Sequence, residues 1–342
     1  MRSIPEVRHI TPEYFRRFLL PKAEPVVIKE ALQHWPLLQH AQKGDEHLYH
    51  YLRKLDNGTE VDTLLLAAET DGQIFYAAEG SGFNFERRRY PVSIVLEQLL
   101  RTKARPAAVR IALQSALIEQ VLPDFAAAHP LALLPAVSSG RLWLGNQVQV
   151  PAHFDDGHNL ACVIAGHRRF TLFPPEQVAN LYPGPVDYAP TGTPISLVNF
   201  AKPDLQRHPR FQDALAAAWQ AELAPGDVLY IPLLWWHQVA SLSSVNMLIN
   251  FWWGGSLVPQ NAAPAPFDSL LHSLLSLRDY TATERAAWGA LFNYFVFDQP
   301  TEASAHIPNT MPALQRKAGA MDKKQLTSIY QWLSTQLAKQ QD

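Results

Sequence analysis

The part of the chain between residues 141 and 254 consists of short β-favouring runs separated by turn residues, and this pattern restricts the fold more than any other feature. Glycine and proline mark the turns, as at Gly157, Gly166 and the pair Pro225 and Gly226. The runs cover residues 141–150, 160–165, 169–173, 227–231, 238–242 and 247–253. Many short strands joined by turns are typical of a sandwich or barrel such as a jelly roll. We therefore predict a mainly β core with helices at its flanks.

The N-terminal region, residues 1–120, is predicted to mix helices and strands. Thr11 followed by Pro12 indicates a helix start, because a hydroxyl caps the first turn and proline fits its first position. Asp71 and Gly72 lie between β-favouring runs at 61–68 and 73–78, which predicts a β-hairpin. Pro91 begins a second predicted helix.

The C-terminal region, residues 261–342, carries helical patterns. Thr283 is the expected cap of one helix, and Asp322 with Gln325 forms a capping-box pattern before the last. The last helix presents an apolar stripe formed by Leu326, Ile329, Tyr330, Leu333 and Leu337. Such a stripe either packs against the barrel or forms the interface of a homodimer.

These patterns divide the chain into three predicted regions. Residues 1–120 form an α+β region that packs on the barrel, residues 121–260 form the barrel, and residues 261–342 form a helical dimerisation region. Residues 176–219 interrupt the barrel with a proline-rich insertion. A long insertion within a β-barrel is often functional, so we expect it to form a wall or lid over the mouth.

Composition excludes several classes of protein. The 342 residues are 47% hydrophobic and 18% charged, which indicates a folded globular chain. Lys and Arg number 29 against 31 Asp and Glu, so the whole chain has no net attraction to nucleic acid. The single cysteine, Cys162, excludes an intramolecular disulfide and a cysteine-based zinc site. No apolar run approaches the roughly 18–20 residues of a membrane span, and the first residues lack the apolar core of a signal peptide, so we expect a cytoplasmic protein without a membrane partner.

A candidate metal site begins at His153 and Asp155. Side chains two residues apart on a strand point to the same side, so this imidazole and carboxylate can face one point. They are two of the three ligands of the facial triad of non-haem Fe(II). In a chain with 13 His and 16 Asp, the expected number of His-x-Asp motifs that arise by chance is about one half, so the motif alone is weak evidence. His237, which opens a later predicted strand, is the natural third ligand, although each histidine can also be an ordinary hydrogen-bonded residue.

The same region resembles the JmjC-type cupin dioxygenases, a family that includes asparaginyl hydroxylases and bacterial cupin-like proteins. The resemblance extends more weakly to residues 25–36 and to the helical C-terminus, where these hydroxylases dimerise. The motifs that carry it are Pro-Ala-His-Phe-Asp at 151–155, Leu-Phe-Pro-Pro at 172–175, Leu-Tyr-Pro at 181–183, Pro-Gly-Asp-Val-Leu-Tyr-Ile-Pro at 225–232, Trp-Trp-His at 235–237 and Asn-Phe-Trp at 250–252.

The resemblance implies a double-stranded β-helix with His153, Asp155 and His237 as Fe(II) ligands. Asn159 and Asn250 match asparagines that line the pocket of the metal and of 2-oxoglutarate. The family lysine that pairs with the distal carboxylate of 2-oxoglutarate falls on Arg168. The two hydroxyl residues that assist this lysine fall on Val150 and Ala112, so the carboxylate pocket is either rebuilt around arginine or lost. Trp143 and Trp252 either line the cavity or belong to the core.

The resemblance further implies an oxygenase that uses 2-oxoglutarate and O2 to hydroxylate a C–H bond of a protein side chain or small molecule, with release of succinate and CO2. A metal-binding cupin that acts as a sensor without turnover is the alternative. The family also includes a tRNA-modifying hydroxylase, and a basic cluster between Arg87 and Arg110 keeps an RNA substrate open. Its members are Arg87, Arg88, Arg89, Arg101, Lys103, Arg105 and Arg110.

Overall fold

The structure is a computed structural model that describes residues 1–77, 82–103, 109–134, 138–254, 266–298, 306–308, 310–311 and 323–338. The chain divides into two compact units, Met1–Ser269 and Leu270–Asp342. The strands are β1 Arg2–Ser3, β2 Glu6–Arg8, β3 Val26–Lys29, β4 Val61–Leu66, β5 Phe85–Tyr90, β6 Arg110–Leu117, β7 Ser139–Gly145, β8 Gln149–His153, β9 His158–Ala165, β10 Arg168–Phe173, β11 Trp219–Leu223, β12 Val228–Ile231, β13 Trp236–Ser241 and β14 Asn246–Trp253. The helices are α1 Pro12–Tyr14, α2 Pro36–Lys43, α3 Asp45–Leu55, α4 Val92–Lys103, α5 Ile118–Val121, α6 Phe125–Ala128, α7 Phe211–Ala217, α8 Pro266–Leu277, α9 Ala282–Phe292 and α10 Lys323–Ala338.

The strands of the first unit form two mixed sheets with the topology of a double-stranded β-helix. The five-stranded sheet has the order β1-β11-β10-β13-β8, and the nine-stranded sheet has the order β2-β3-β12-β9-β14-β7-β6-β4-β5. From β7 to β14, successive strands fall alternately in the two sheets, except that β10 and β11 are neighbours in one sheet. This winding is that of a jelly roll. The predicted fold class is confirmed.

Two apolar cores hold the barrel and its flanking helices together. Inside the barrel, side chains from both sheets meet, including Val163, Phe170 and Leu229. A larger core lies between the other face of the nine-stranded sheet and the N-terminal helices, and it contains Trp35 and Leu96. The strand β9 is buried along almost its whole length because both of its faces are covered.

The nine-stranded sheet extends beyond the barrel through β6, β4 and β5, and here the sequence prediction was wrong. The run at 61–68 was expected to pair with the run at 73–78, whereas β4 pairs with β5 on one side and with β6 on the other. In the second run, Gln73 forms only an isolated bridge with Gln149. The turn at Asp71 and Gly72 is present, but the chain leaves it toward β8 instead of returning along β4.

The predicted helix starts of the first unit are confirmed. The hydroxyl of Thr11 accepts a hydrogen bond from the backbone N–H of Tyr14, with Pro12 at the first helical position. The helix predicted from Pro91 is α4. Within the part of the chain that the structure describes, no helix combines the length and the apolar character needed to cross a membrane.

The second unit is helical, and one of its predicted caps was wrong. Thr281, not Thr283, caps α9, because its hydroxyl accepts from the N–H of Glu284 while the Glu284 carboxylate accepts from the N–H of Thr281. The pattern at Asp322 and the side chain of Gln325 lie outside the described residues. In α10, Leu333 and Leu337 are exposed. The division into three regions remains a prediction.

Candidate active site

The structure brings His153, Asp155 and His237 together at one point. His153 is the last residue of β8, and Asp155 follows two residues later. His237 lies on β13 directly opposite His153, with a bulge after it. The two imidazole centroids are 4.3 Å apart, and His237 Nε2 lies 3.5 Å from Asp155 Oδ2. One ligand atom from each residue lies within 4.8 Å of the others.

Both histidines hold the tautomer that a metal needs. His153 Nδ1 donates to the carbonyl of Pro151 over 2.9 Å, and His237 Nδ1 donates to the carbonyl of Trp235 over 3.0 Å. Because a carbonyl only accepts, the proton of each neutral ring is on Nδ1 and the lone pair is on Nε2. Burial, reinforced by the neighbouring His237, lowers the pKa of His153 to about 4. His153 is therefore neutral across the physiological pH range.

The carboxylate of Asp155 is oriented by two donors. Asn159 Nδ2 donates to its Oδ2 over 3.0 Å, and the indole N–H of Trp252 donates to the same atom over 3.1 Å. The guanidinium of Arg141 lies 5.3 Å from the ring centroid of Trp252. These contacts fix the rotamer of Asp155, which is how side chains around a metal ligand raise metal affinity.

The three residues line a cavity of about 520 Å³ that enters the barrel. One part of the lining is apolar and includes Phe170, Ile231 and Val239, which come from both sheets. Ala189, Pro190, Thr191 and Gly192 of the predicted insertion line it as well, as expected for a wall at the mouth. The size and the mixture of apolar walls with a few polar groups are typical of a small-molecule site.

Arg168 brings a positive charge into this cavity without a partner. It lies on β10 opposite Ser241, whereas Leu172 of the same strand lies opposite His237. The four residues from Arg168 to Leu172 correspond to roughly 13 Å along the strand. The residue is 7% exposed, and its guanidinium makes no hydrogen bond or ion pair with any described residue. Burial lowers its pKa to about 10, so the group is still a cation at neutral pH. A buried cation without a partner is costly, which indicates an anionic ligand here.

All six residues selected from the sequence line this cavity. They are the three metal-ligand candidates, Arg168, Asn159 and Asn250. The Oδ1 atom of Asn159 is buried without a hydrogen bond among described residues. Asn250 accepts from the indole N–H of Trp143 over 2.8 Å. Both tryptophans that sequence left undecided therefore contribute polar contacts to the site.

The two positions of the missing family hydroxyls, Val150 and Ala112, meet at one small core cluster. Val150 lines the cavity together with Arg168. Ala112 lies in that cluster with Leu64, Ile74 and Val148, and Val150 packs against it as well. Of the two, Val150 is among the described residues that line the cavity and Ala112 is not.

Four cations of the basic cluster form ion pairs with carboxylates, two of them close in sequence and two brought near only by the fold. Arg105 lies outside the described residues. Arg110 donates to Gln147, and Arg89 donates to the carbonyl of Glu60. The ion pairs of the cluster are Arg87 with Asp62, Arg88 with Glu86, Arg101 with Glu97, and Lys103 with Asp45. This pairing weakens the case for an RNA-binding surface.

From the sequence, Asp62 was not selected and Arg87 was named only as part of the basic cluster. They lie on β4 and β5 and line the same cavity as the three metal-ligand candidates. The available signal was the alternation in 85–90, where Phe85, Arg87 and Arg89 share one face of a strand. The three consecutive arginines of this run are also typical of a solvent-exposed surface, so the alternation was not taken to indicate cavity residues.

Comparison with known proteins finds similar sequences. A family model described as a cupin-like domain matches residues 12–257. The human bifunctional peptidase and (3S)-lysyl hydroxylase JMJD7 is 30% identical over 271 residues, which cover 71% of this chain and 81% of that protein. The Jumonji C domain-containing protein 5 of Drosophila melanogaster is 26% identical over 253 residues, or 73% of this chain and 60% of that protein.

Other relatives match over a shorter segment. HSPB1-associated protein 1 of Rattus norvegicus is 41% identical over 113 residues, which cover 32% of this chain and 23% of that protein. The chain thus matches less than a quarter of the length of this relative.

Proposed function

Because the chain belongs to the cupin-like, JmjC-type family, we propose that it is an Fe(II)- and 2-oxoglutarate-dependent oxygenase that hydroxylates a C–H bond and releases succinate and CO2. The observation that carries the proposal is the convergence of His153, Asp155 and His237 in a cavity that also contains a buried arginine with no partner among the described residues. Two imidazole nitrogens and one carboxylate oxygen are the ligand set of non-haem Fe(II) oxygenases.

The residues present fit Fe(II) and 2-oxoglutarate. His153, His237 and Asp155 would hold the metal, and Arg168 would bind the distal carboxylate, since its planar fork can hold a carboxylate through two hydrogen bonds. Fe(II) bound with 2-oxoglutarate supplies the activation of O2. Arg168 then balances the charge of the cosubstrate, Asn159 and Trp252 keep Asp155 in place, and the apolar wall at Phe170 and Ile231 excludes water.

The experiment that tests this function follows the decarboxylation of 2-oxoglutarate labelled at C1. With Fe(II) and O2, the purified chain is expected to release labelled CO2 even without substrate, slowly, and the release should cease in a His153→Ala variant. A metal-loaded protein that binds Fe(II) but never consumes 2-oxoglutarate would support the alternative, a cupin sensor without turnover. The observation that favours testing this alternative is that hydrophobic Val150 lines the same cavity as Arg168.

For the substrate, we propose a protein side chain. The support is at the level of the family, because the name of the human relative JMJD7 describes a lysyl hydroxylase. A small molecule remains the second possibility for a cavity of this size. An RNA substrate is not favoured, since four cations of the basic cluster are paired with carboxylates. The cytoplasmic location remains a prediction.

A further inference from the structure

The nine-stranded sheet continues the wall of the cavity beyond the barrel. The strands β14, β7, β6, β4 and β5 are consecutive neighbours, and each contributes to the lining. The contributors include Trp252, Trp143, Gln114, Asp62 and Arg87, in that strand order. Four strand spacings correspond to about 19 Å. The cavity therefore extends from the candidate metal ligands to an outer ledge, which we define as Gln114, Asp62 and Arg87.

An ion pair occupies this ledge. Arg87 Nη1 donates to Asp62 Oδ2, and the arginine also lies over the ring of Phe85, with Cζ 5.4 Å from its centroid. The Asp62 side chain is 33% exposed and the Arg87 side chain 50%. Among the described residues, Asp62 has no other ion-pair partner, since Arg89 of the neighbouring strand donates to the carbonyl of Glu60.

The two partners of this pair are not equally replaceable. If a cation from a ligand takes the place of Arg87, Asp62 keeps a partner, and Arg87 keeps the ring of Phe85 and the solvent. If an anion binds Arg87 instead, it must lie beside the carboxylate of Asp62, which repels it. A partly exposed ion pair contributes little to stability, so the exchange of one cation for another costs little. The geometry favours a cationic ligand.

Gln114 adds a second contact to the ledge. It follows Leu113, whose cross-strand partner is Thr63, so it lies beside Asp62 on the adjacent strand. Its side chain is half-buried and makes no hydrogen bond with any described residue, which leaves its amide oxygen available to an N–H donor. A carboxylate next to an amide oxygen suits an ammonium or guanidinium group, which carries several donors and no acceptor.

We propose that Asp62 binds a cationic group of the substrate and that Arg87 occupies this site until the substrate displaces it. The inference rests on the proposed function only in taking the cavity as the substrate site. Arg87 thereby selects against neutral and acidic ligands, since these cannot replace it on Asp62.

The test measures equilibrium binding of labelled nonapeptide pools by fluorescence anisotropy, with the full chain and without metal. The pools have random neutral flanks and a central Lys, Arg, Gln, norleucine or Glu. The Lys and Arg pools are expected to bind about fivefold more tightly than the norleucine pool. Asp62→Asn should abolish this difference, and Arg87→Ala should strengthen binding of the Lys and Arg pools because the competing cation is gone.

A charge reversal makes the test independent of folding defects in any single variant. The double variant Asp62→Lys with Arg87→Glu keeps an ion pair on the ledge and is expected to prefer the Glu pool. The matched control is the pair Glu86 and Arg88, which lies on the opposite face of β5. Glu86→Gln and Arg88→Ala should bind all pools as the unmodified chain does.

Equal affinity for all pools, no binding of any pool, or a preference of the unmodified chain for Glu would overturn the proposal. So would an unchanged preference in Asp62→Asn. The outcome is separate from that of the proposed function, because the binding assay needs neither iron nor turnover. If the chain decarboxylates 2-oxoglutarate but binds all pools equally, the role of Asp62 is refuted and the proposed function stands. If it selects among the pools but does not decarboxylate 2-oxoglutarate, the proposed function is refuted and the role of Asp62 stands.

Discussion

Arg168 is the residue at which function and stability are expected to oppose each other. Its guanidinium is buried, and within the described structure it has no partner. In Arg168→Met, removal of the unpaired charge should raise the free energy of unfolding by about 1 kcal/mol or more without ligand. The same change should weaken 2-oxoglutarate binding roughly 10- to 100-fold, because hydrogen bonds to a carboxylate are lost. Denaturant unfolding and calorimetric titration measure the two effects.

Arg168→Lys is the control for this prediction, since it keeps the charge and loses the fork. It should recover part of the affinity for 2-oxoglutarate and none of the gain in stability. Unchanged 2-oxoglutarate affinity in Arg168→Met would mean that the arginine serves another anion.

Trp252 is expected to act on the metal through Asp155. Trp252→Phe keeps an aromatic ring beneath Arg141 but removes the N–H that donates to Asp155 Oδ2. Loss of such an orienting contact lowers metal affinity about tenfold or more. Calorimetric titration with Mn(II) or Fe(II) measures it. Trp143→Phe, which removes a donor to Asn250 instead, should leave metal affinity unchanged; equal losses in both variants would contradict the role of Trp252.

The helix α2 depends on a histidine that must stay neutral. His129 Nδ1 donates to the carbonyl of Phe125, and its Nε2 accepts from the N–H of Leu37 in the first turn of α2. Burial lowers the pKa of His129 in the folded state. As the pH falls below about 6.5, the unfolded chain therefore takes up a proton that the folded chain excludes, and stability falls.

This linkage predicts that the free energy of unfolding decreases between pH 7.5 and pH 5.5, by at most about 1.4 kcal/mol per pH unit for one proton. His129→Gln should be less stable at pH 7.5 and should show a smaller decrease, because one titrating group is gone. Urea unfolding at the two pH values measures it. An identical pH dependence in both proteins would exclude His129 as a contributor.

At the level of elements, the sequence predicts what local chemistry determines and fails where pairing is chosen by distant contacts. The turns and strand runs of 141–254 are local, and they were sufficient to predict the barrel. The partner of β4 was not, because Asp71 and Gly72 specify a turn but not where the chain goes after it. The cap of α9 lies two residues before the predicted one. Glu284 follows Thr281 by three residues, which is the spacing of a capping box, whereas it directly follows Thr283.

The same distinction applies to the candidate site. His153 and Asp155 are predictable because strand geometry places side chains two apart on one side. His237 was a candidate from its place at the start of a later predicted strand, and the resemblance supported it, but its cross-strand register with His153 appears only in the fold. The ledge at Asp62 and Arg87 was not predicted, because the alternation in 85–90 indicates which side chains share a face but not that β4 and β5 extend the barrel sheet.

At the scale of the whole molecule, we propose a homodimer formed through the C-terminal helices. Large apolar side chains are exposed on each of them, which is unusual for a surface that contacts only water. They include Leu270, Leu274 and Leu275 on α8, Trp288 and Leu291 on α9, and Trp332, Leu333 and Leu337 on α10. Light scattering after size exclusion should give twice the mass of the chain.

A variant separates this dimer from aggregation. Trp332→Glu with Leu333→Glu should give a folded monomer, because two charges cannot be buried in an apolar interface. The matched control is Thr335→Glu, on the same helix but at a polar position. A monomeric unmodified chain would contradict the proposal.

The central claim, that the cavity at His153, Asp155 and His237 carries out oxidative decarboxylation, is tested most directly with labelled oxygen. One atom of O2 enters succinate in this reaction and the other enters the hydroxylated product. With Fe(II), 2-oxoglutarate and ¹⁸O2, the succinate formed by the chain should carry one ¹⁸O by mass spectrometry, and Asp155→Ala should form none. Absence of succinate from the iron-loaded protein, or succinate without the label, would contradict the account.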